Sequence, residues 1–233
     1  MKKNLVLLIL ILIGINPLAG QEENFVEANY EKSEHQIEMR DGIKLFTIVY
    51  TPKDQSELYP ILMQRTPYSI APYGKRMRRN LSPNDKLEKD MYIFVFQDVR
   101  GKFMSEGEFD NMRPVLNSYG DSGDIDETTD TWDTVEWLIN NIENNNGKVG
   151  MYGVSYPGFY TVMGSINAHP AMVCTSPQAP ISDWFLWDDM HHNGAFTLPL
   201  CFNFFQVFGQ DRPELTMRWG SRPQYTAADG YNF

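Results

Sequence analysis

The sequence predicts an α/β fold with a mostly parallel sheet. Two runs, 60–64 and 91–97, are apolar almost throughout, as expected of strands that are covered on both faces of a parallel sheet. Later in the chain, strand-like and helix-like segments alternate and are separated by tight turns. Right-handed crossovers in such a fold place catalytic loops at the carboxyl ends of the strands.

A β-hairpin is the first predicted element. Residues 36–39 and 44–51 are short strand-like runs, and Arg40-Asp41-Gly42 lies between them. An Asp-Gly pair between two strands is a turn signal. The apolar strands at 60–64 and 91–97 follow this hairpin along the chain.

The clearest predicted helix covers residues 130–141. Its apolar residues recur at helical spacing on one face: Trp132, Val135, Leu138 and Ile139. Acidic residues lie near its amino end, where they suit the helix dipole. The segment is therefore predicted to be amphipathic and to cover one face of the sheet.

Further elements are expected beyond this helix. Asn145-Asn146-Gly147 is expected to end it, and residues 148–154 to form the next strand. A second helix is expected at 159–168 and should stop at His169-Pro170. From Ser182 onward aromatic residues crowd the chain and β-branched residues are few, which predicts helices packed as a lid or second layer.

Composition and charge exclude several classes of protein. The chain of 233 residues is 42% hydrophobic and 13% aromatic, so it can bury a core and is not generally disordered. The formal net charge of −10 disfavours a polyanionic partner, because Lys and Arg must outweigh Asp and Glu where phosphates are neutralised. Nucleic acid is therefore not an expected ligand.

The first 20 residues are interpreted as a secretory signal peptide. Two lysines precede the apolar run Leu5–Ile15, and the small residues Ala19 and Gly20 follow it. The run is too short to cross a bilayer as a helix, and a buried core strand would not be expected in this place. Gln21 stands where a lipid anchor would need Cys. We therefore expect a secreted or periplasmic protein without a membrane anchor.

The two cysteines of the chain are Cys174 and Cys201. Export would permit a disulfide bond between them. Two unlinked, buried thiols are the alternative, because each cysteine lies in an apolar neighbourhood. The sequence leaves both states open.

The strongest chemical motif is Gly153-Val154-Ser155-Tyr156-Pro157-Gly158. It follows a predicted strand and precedes a predicted helix, the setting of a nucleophile elbow, where small residues permit a strained turn that exposes the serine hydroxyl. In this setting the Tyr156 backbone NH can donate to an oxyanion. The second glycine is one residue further from Ser155 than in the strict G-x-S-x-G pattern, and a serine in an ordinary turn is the alternative.

Six further blocks, together with the elbow, carry a family resemblance between Glu38 and Phe205. The blocks are Met39-Arg40-Asp41-Gly42, Arg65-Thr66-Pro67-Tyr68, Gln97-Asp98-Val99-Arg100-Gly101, Ser105-Glu106-Gly107, Trp132-Asp133-Thr134-Val135-Glu136-Trp137-Leu138 and Gly147-Lys148-Val149-Gly150-Met151. They resemble the α-amino-acid ester hydrolases and the related cocaine-esterase and X-Pro dipeptidyl-peptidase (peptidase S15) family. Tyr156-Pro157-Gly158 also agrees with that family's elbow. The resemblance implies an α/β-hydrolase fold.

Roles for four residues follow from the resemblance. It makes Ser155 the nucleophile, the Tyr156 backbone NH one oxyanion donor and the Tyr68 hydroxyl the other. A phenol at the end of a strand can donate to the negative oxygen that develops on an ester or amide carbonyl. Asp189 matches an acid that helps to hold the substrate's α-ammonium group. From the residues alone, Tyr68 could equally be a turn aromatic, and Asp189 a capping or surface acid.

Domain boundaries are implied as well. They are a signal peptide at 1–20, the N-terminal part of an α/β-hydrolase domain at 21–183, and the start of a helical cap at 184–233. Members of the family are longer, and in α/β-hydrolases the catalytic acid and histidine follow the serine. The histidines that follow Ser155 in this sequence, His169, His191 and His192, do not fit as the base. We therefore expect an N-terminal fragment, truncated within the cap, with little activity of its own.

Three clusters of charge are given structural interpretations. Asp98, Arg100 and Glu106 are interpreted as ion pairs that brace a loop. The acids within 121–133 lack the order of a calcium loop and suit the start of a helix, so no metal site is expected. The basic run 75–79 is interpreted as a solvated loop without a role.

The sequence thus predicts a serine hydrolase that cleaves esters or amides of α-amino acids through an acyl-enzyme on Ser155. An X-Pro dipeptidyl-peptidase is the near alternative, since its substrates also carry a free amine. A non-catalytic binding protein on a degenerate hydrolase fold is the alternative from another class. The expected partner is a small ester, amide or short peptide with a free amine, and no cofactor is expected. A homo-oligomer of the full-length protein is left open.

Overall fold

The computed structural model describes residues 24–116, 124–181, 183, 185–186, 189–208, 212 and 214–220. Its elements in chain order are α1 (Phe25–Asn29), β1 (Tyr30–Glu38), β2 (Lys44–Pro52), β3 (Tyr59–Thr66), α2 (Asp85–Lys89), β4 (Ile93–Asp98), α3 (Glu127–Asn141), β5 (Asn145–Val154), α4 (Tyr156–Ser165), β6 (Met172–Gln178), β7 (His191–His192), β8 (Ala195–Phe196) and α5 (Leu198–Phe208). The signal peptide predicted at 1–20 lies outside the described residues.

Six strands form one mixed sheet in the order β1-β2-β4-β3-β5-β6. The β1–β2 and β2–β4 pairs are antiparallel, whereas β4–β3, β3–β5 and β5–β6 are parallel. Thr66 pairs with Asp98, and Val154 pairs with Gln178, so the carboxyl ends of the parallel strands meet at one edge. The prediction of an α/β fold with a mostly parallel sheet is confirmed, and this edge is where its catalytic loops belong.

The predicted hairpin is confirmed, with a longer first strand. Pairing between β1 and β2 runs from Glu38 opposite Lys44 back to Tyr30 opposite Pro52. Tyr30 is buried and packs its ring edge against Phe94, so tertiary packing extends β1 beyond the stretch that alternation alone predicts.

Helix α3 begins earlier than predicted because Asp126 caps it. The Asp126 carboxylate accepts hydrogen bonds from the backbone NH groups of Thr128 and Thr129, and the Thr129 hydroxyl accepts one from the Asp126 NH. Such a capping box satisfies amide groups that have no partner within the helix. At the other end, Asn145-Asn146-Gly147 lies in β5 and does not end the helix, because the chain is already extended at Ile142.

Helix α4 begins at Tyr156, directly after the elbow serine, and ends at Ser165. The prediction of 159–168 is therefore shifted by three residues. Strand β6, which follows, was not predicted. Its side chains are mostly exposed, and its sequence includes Thr175, Ser176 and Pro177, so it lacks the apolar pattern of the other parallel strands.

Apolar clusters cover the two faces of the sheet. On one face, Val135 and Leu138 of α3 and Phe159 and Tyr160 of α4 pack against strand residues such as Met63. On the other face, α1, α2 and the loop between β3 and β4 cover a second cluster, which includes Val26, Ile70, Leu81, Phe94 and Phe96. The two layers hold the strand ends rigidly in place.

Only part of the predicted lid is helical among the described residues. Helix α5 agrees with that prediction, whereas residues 189–197 form turns and the two-residue strands β7 and β8. Trp184 and Trp187 lie outside the described residues. None of the described helices is long and apolar enough to cross a membrane.

Both cysteines are free thiols in the structure. Cys174 is exposed on β6 and Cys201 is half-buried on α5. A disulfide bond is therefore not formed, and the alternative of two buried thiols is wrong for Cys174, because β6 lies at the open edge of the sheet.

Candidate active site

Ser155 occupies the sharp turn between β5 and α4. Its backbone angles, φ 62° and ψ −124°, are in a region that residues with a side chain rarely adopt. The Ser155 NH donates to the Gln178 carbonyl at 2.9 Å, and its carbonyl accepts from the Phe159 NH at 3.0 Å. The serine side chain is exposed. This strained, anchored turn presents the hydroxyl at the carboxyl edge of the sheet, as in a nucleophile elbow.

The two glycines of the motif are required by close backbone approaches. A Cβ atom on Gly153 would collide with the Pro157 carbonyl on the first turn of α4. A Cβ atom on Gly158 would lie 2.5 Å from the Gln178 carbonyl oxygen at the end of β6. The second glycine therefore stands three residues after Ser155 because that is where α4 passes the neighbouring strand.

Tyr68 lies beside Ser155. It follows the end of β3, the strand that pairs with β5, and its phenol lies close enough to the Ser155 side chain for that side chain to lower its pKa. Burial raises the pKa of Tyr68, the nearby Ser155 side chain lowers it, and the negative charge of Asp189 raises it, with a net increase. The phenol is therefore protonated at neutral pH and able to donate.

Tyr156 presents its backbone, not its side chain, to the edge of the sheet. The buried phenol donates to Asn111 Oδ1 at 2.7 Å and accepts from the Met112 NH at 3.0 Å. Its ring stacks on Tyr160 with centroids 5.3 Å apart and meets Tyr68 edge-on at 6.0 Å. The Tyr156 NH is the first of helix α4, where the helix dipole favours negative charge.

Asp189 is exposed in the turn that precedes β7. Its negative charge raises the pKa of Tyr68, which places the carboxylate within electrostatic range of that phenol. Asp183 has a different task, since its carboxylate accepts from the backbone NH groups of Phe185 and Leu186, both at 2.9 Å. The structure thus brings Ser155, Tyr68, Tyr156 and Asp189 to one region.

His169 connects the two helices that cover the sheet. Its Nε2 lies 2.7 Å from Glu136 Oε2 on α3, and its Nδ1 accepts from the Ala171 NH at 3.0 Å. His191 packs between the rings of Phe185 and Phe196. Both ring nitrogens of His169 are thus engaged in contacts with Glu136 and Ala171.

Arg100 is ion-paired, but not with the residues that the sequence suggested. Its guanidinium binds Asp130 at 2.6 Å and Asp41 at 2.7 Å. Glu106 accepts from the Lys44 NH at 2.9 Å instead. The prediction of pairing among Asp98, Arg100 and Glu106 is therefore wrong, because the turn of the hairpin and helix α3 supply the partners of Arg100.

Asp98 is fully buried at the end of β4. Its carboxylate accepts from the Ile70 NH at 3.1 Å and from the Tyr73 hydroxyl at 2.9 Å. Burial raises its pKa to about 7, although these hydrogen bonds act in the opposite direction. Sequence reasoning missed Tyr73 and Asn111 as supports of the site, since neither lies in a recognisable pattern.

The acidic residues around the start of α3 serve as a cap and as ion-pair partners. Asp126 caps the helix, Glu127 lies 3.3 Å from the buried Arg65, and Asp133 binds Arg40 at 2.7 Å. Asp121 lies outside the described residues. Within the described ranges, no group of three or more His, Cys, Asp or Glu residues could hold a metal ion.

The basic run 75–79 is not entirely solvated. Arg78 lies 3.9 Å above the Phe96 ring and donates to the Ile70 carbonyl at 3.0 Å. The prediction of a solvated loop is therefore wrong for this residue, whose flat guanidinium helps to cover the second face of the sheet.

Comparison with known proteins identifies similar hydrolases. A profile described as X-Pro dipeptidyl-peptidase (S15 family) matches residues 41–231. The cocaine esterase of Rhodococcus sp. (strain MB1 Bresler) is 26% identical over 206 residues, which cover 87% of this chain and 32% of the esterase.

Two solved structures are similar over most of the chain. An α-amino acid ester hydrolase has a TM-score of 0.67 and 36% identity, covering 83% of this chain and 33% of that one. An aminopeptidase from a marine sediment archaeon, Thaumarchaeota archaeon, has a TM-score of 0.71 and 35% identity. This similarity covers 88% of this chain and 33% of the aminopeptidase. The chain therefore spans about a third of the length of these relatives.

Proposed function

The chain belongs to the X-Pro dipeptidyl-peptidase (S15) family and has its α/β-hydrolase fold, and on this premise we propose that the protein is a serine hydrolase acting on esters or amides of α-amino acids. The observation that carries the proposal is the exposed Ser155 on its strained turn, with the Tyr68 phenol beside it. A nucleophile next to a protonated donor is the arrangement that acyl transfer requires.

In the proposed reaction Ser155 Oγ attacks the substrate carbonyl carbon. As this bond forms, the carbonyl electron pair moves onto oxygen, and the Tyr68 hydroxyl and the Tyr156 NH donate to that oxygen. Collapse of the intermediate expels the alcohol or amine and leaves the acyl group on Ser155, and water then hydrolyses the acyl-enzyme. Losing one oxyanion donor typically lowers the rate about 100- to 1000-fold.

A general base must take the Ser155 proton and return it to the departing oxygen or nitrogen as the intermediate collapses. His169 is engaged with Glu136 and Ala171, so we assign it a structural role. In α/β-hydrolases the acid and the histidine follow the serine in the sequence. We propose that both come from a part of the protein outside these 233 residues. The similar hydrolases are about three times as long as this chain.

Asp189 is the proposed site for the substrate's α-ammonium group. Its exposed carboxylate, within range of Tyr68, can pair with a cation held beside the reacting carbonyl. Two similar structures are named as an α-amino acid ester hydrolase and an aminopeptidase, both names that refer to an amino group. The description of the matching family supports the second candidate, an X-Pro dipeptidyl-peptidase.

Matched substrates test the proposal on the full-length protein. An α-amino-acid ester with a free amine should be hydrolysed faster than its N-acetylated counterpart. Asp189→Asn should lower kcat/KM for the free amine about 10- to 100-fold, the range expected for losing a charge-assisted hydrogen bond, and leave the acetylated ester unchanged. Asp183→Asn is the control, since an amide oxygen can still accept from Phe185 and Leu186.

The outcomes separate the candidates. Faster hydrolysis of an X-Pro dipeptide anilide than of any amino-acid ester would support the dipeptidyl-peptidase. Equal loss on both esters in Asp189→Asn would contradict the amine site. No hydrolysis of any of these substrates by the wild-type protein would contradict the hydrolase proposal and favour a binding protein on the same fold.

A further inference from the structure

The Tyr68 hydroxyl lies in a loop, so its position depends on how that loop is held. The Tyr68 NH donates to Thr66 Oγ1 at 3.0 Å, which fixes the start of the loop to the end of β3. The next residue, Ser69, has a φ of 81°, in the left-handed region. Such a conformation in a residue other than glycine persists only where its surroundings enforce it. The contacts that follow Tyr68 must therefore supply this constraint.

Asp98 is the centre of those contacts. It pairs in register with Thr66, so its buried side chain lies at the base of the loop. One carboxylate oxygen accepts from the Ile70 NH at 3.1 Å, and the other accepts from the Tyr73 hydroxyl at 2.9 Å. The Tyr73 hydroxyl also lies 3.0 Å from Ser69 Oγ. The two shortest contacts of the carboxylate therefore hold the residues two and five positions after Tyr68.

The burial of Asp98 favours a role beyond stability. No arginine or lysine among the described residues forms an ion pair with it, and Arg212 attracts it only from a distance. Burying an acid without an ion-pair partner costs folding free energy. Selection for stability alone would therefore favour an uncharged side chain at this position. The carboxylate does provide two acceptor oxygens at one point, which a single amide side chain cannot.

We propose that Asp98 is a positioning residue, which through Ile70 and Tyr73 holds the Tyr68 hydroxyl at the place where the oxyanion forms. The proposal rests on the serine hydrolase function and adds a part to its machinery. The sequence suggested Asp98 only as an ion-pair partner of Arg100, and the proposal gives it a positioning role instead. The Met104 NH, 3.4 Å from the same carboxylate, ties the following loop to this point.

A double-mutant cycle on the full-length protein tests this positioning. Asp98→Asn keeps one acceptor oxygen and places an NH₂ group opposite the Tyr73 hydroxyl or the Ile70 NH. We expect kcat to fall about 10- to 100-fold, because displacing a reacting group by 1 Å can cost that much, with KM within about twofold. In a Tyr68→Phe background, which lacks the hydroxyl, Asp98→Asn should change kcat by less than about threefold. Glu106→Gln is the control. The Glu106 carboxylate lies in the loop that follows β4 and accepts from the backbone NH of Lys44 at the start of β2.

Other results would overturn the proposal. If Asp98→Asn lowers kcat as much without the Tyr68 hydroxyl as with it, the acid does not act through Tyr68. An unchanged kcat in Asp98→Asn would likewise show that the acid does not position the Tyr68 hydroxyl. Should that variant fail to fold, Tyr73→Phe removes the hydroxyl that donates to Asp98 at 2.9 Å and lies 3.0 Å from Ser69 Oγ, and it must show the same dependence on Tyr68. A Tyr68→Phe variant with full kcat would also overturn the inference, because the hydroxyl that Asp98 is proposed to position would then have no catalytic part. A wild-type protein without hydrolase activity would instead refute the proposed function on which this inference rests.

Discussion

Gly153 and Ser155 show how one turn couples folding to chemistry. Gly153 has no room for a Cβ atom, because the Pro157 carbonyl occupies that space. Gly153→Ala should therefore move the start of α4 and with it the Ser155 hydroxyl. We expect unfolding free energy to fall by about 1–3 kcal/mol, as in overpacked cores, together with a large loss of activity. Urea unfolding and kcat of the full-length protein measure the two effects.

Gly150→Ala is the control on the same strand. Its Cβ atom would lie 2.9 Å from Cys174 Sγ, a side-chain atom at an exposed edge that can move. The change should cost less stability and leave kcat close to that of the wild type. Equal loss of kcat in both variants would contradict a special constraint at the elbow.

Asp98 also predicts a pH dependence of stability. Burial raises its pKa from 3.8 to about 7. Between these values the folded protein retains a proton that the unfolded chain releases, so the unfolding free energy should fall as pH rises from about 4 to about 7. Asp98→Asn, which does not ionise, should flatten this part of the profile. Urea unfolding of both proteins over that range is the measurement, and identical slopes would contradict the raised pKa.

Local motifs explain which site residues the sequence reveals. Ser155 was predicted from glycines at fixed spacing, and Tyr68 and Asp189 from blocks of family resemblance; their catalytic and binding roles stay predictions. The partners of Arg100 could not be predicted, because they depend on how the hairpin turn and α3 meet at one point. The same holds for Tyr73, whose contact with Asp98 depends on the path of an irregular loop.

Two acids on α3 differ in burial and therefore in their expected effect on stability. Asp130 is buried against Arg100 at 2.6 Å, whereas Asp133 binds the partly exposed Arg40 at 2.7 Å. Asp130→Asn should lower the unfolding free energy by up to about 3–5 kcal/mol, because it leaves the buried Arg100 with Asp41 as its one remaining acidic partner among the described residues. Asp133→Asn should cost about 1 kcal/mol or less. Denaturant midpoints compare them directly, and equal costs would contradict this account.

Hydrophobic periodicity predicted the elements that bury a face. It gave the hairpin, β3, β4, β5 and α3, each with a buried apolar side. It missed β6, whose exposed side chains show no alternation. Composition placed α4 three residues late, because the sharp turn at Ser155 puts Pro157 and Gly158, two residues that disfavour helices, into the first turn of the helix.

At the scale of the whole molecule, the sheet gathers the candidate site at one edge. Strands β3, β4 and β5 end at Thr66, Asp98 and Val154, and Tyr68 and Ser155 follow the first and the last of these. The alternation of strands and helices in the sequence predicts this arrangement. In the proposed mechanism this chain, about a third of its relatives' length, supplies the nucleophile and the oxyanion donors, and we expect the base from a part of the protein outside these residues.

The most direct test of the central claim is covalent labelling of the full-length protein with a fluorophosphonate, followed by peptide mass spectrometry. The proposed mechanism predicts one labelled site, Ser155, complete loss of labelling in Ser155→Ala, and slower labelling in Tyr68→Phe, which lacks one oxyanion donor. Labelling at another serine, or none in an intact and folded protein, would contradict the assignment of Ser155 as the nucleophile.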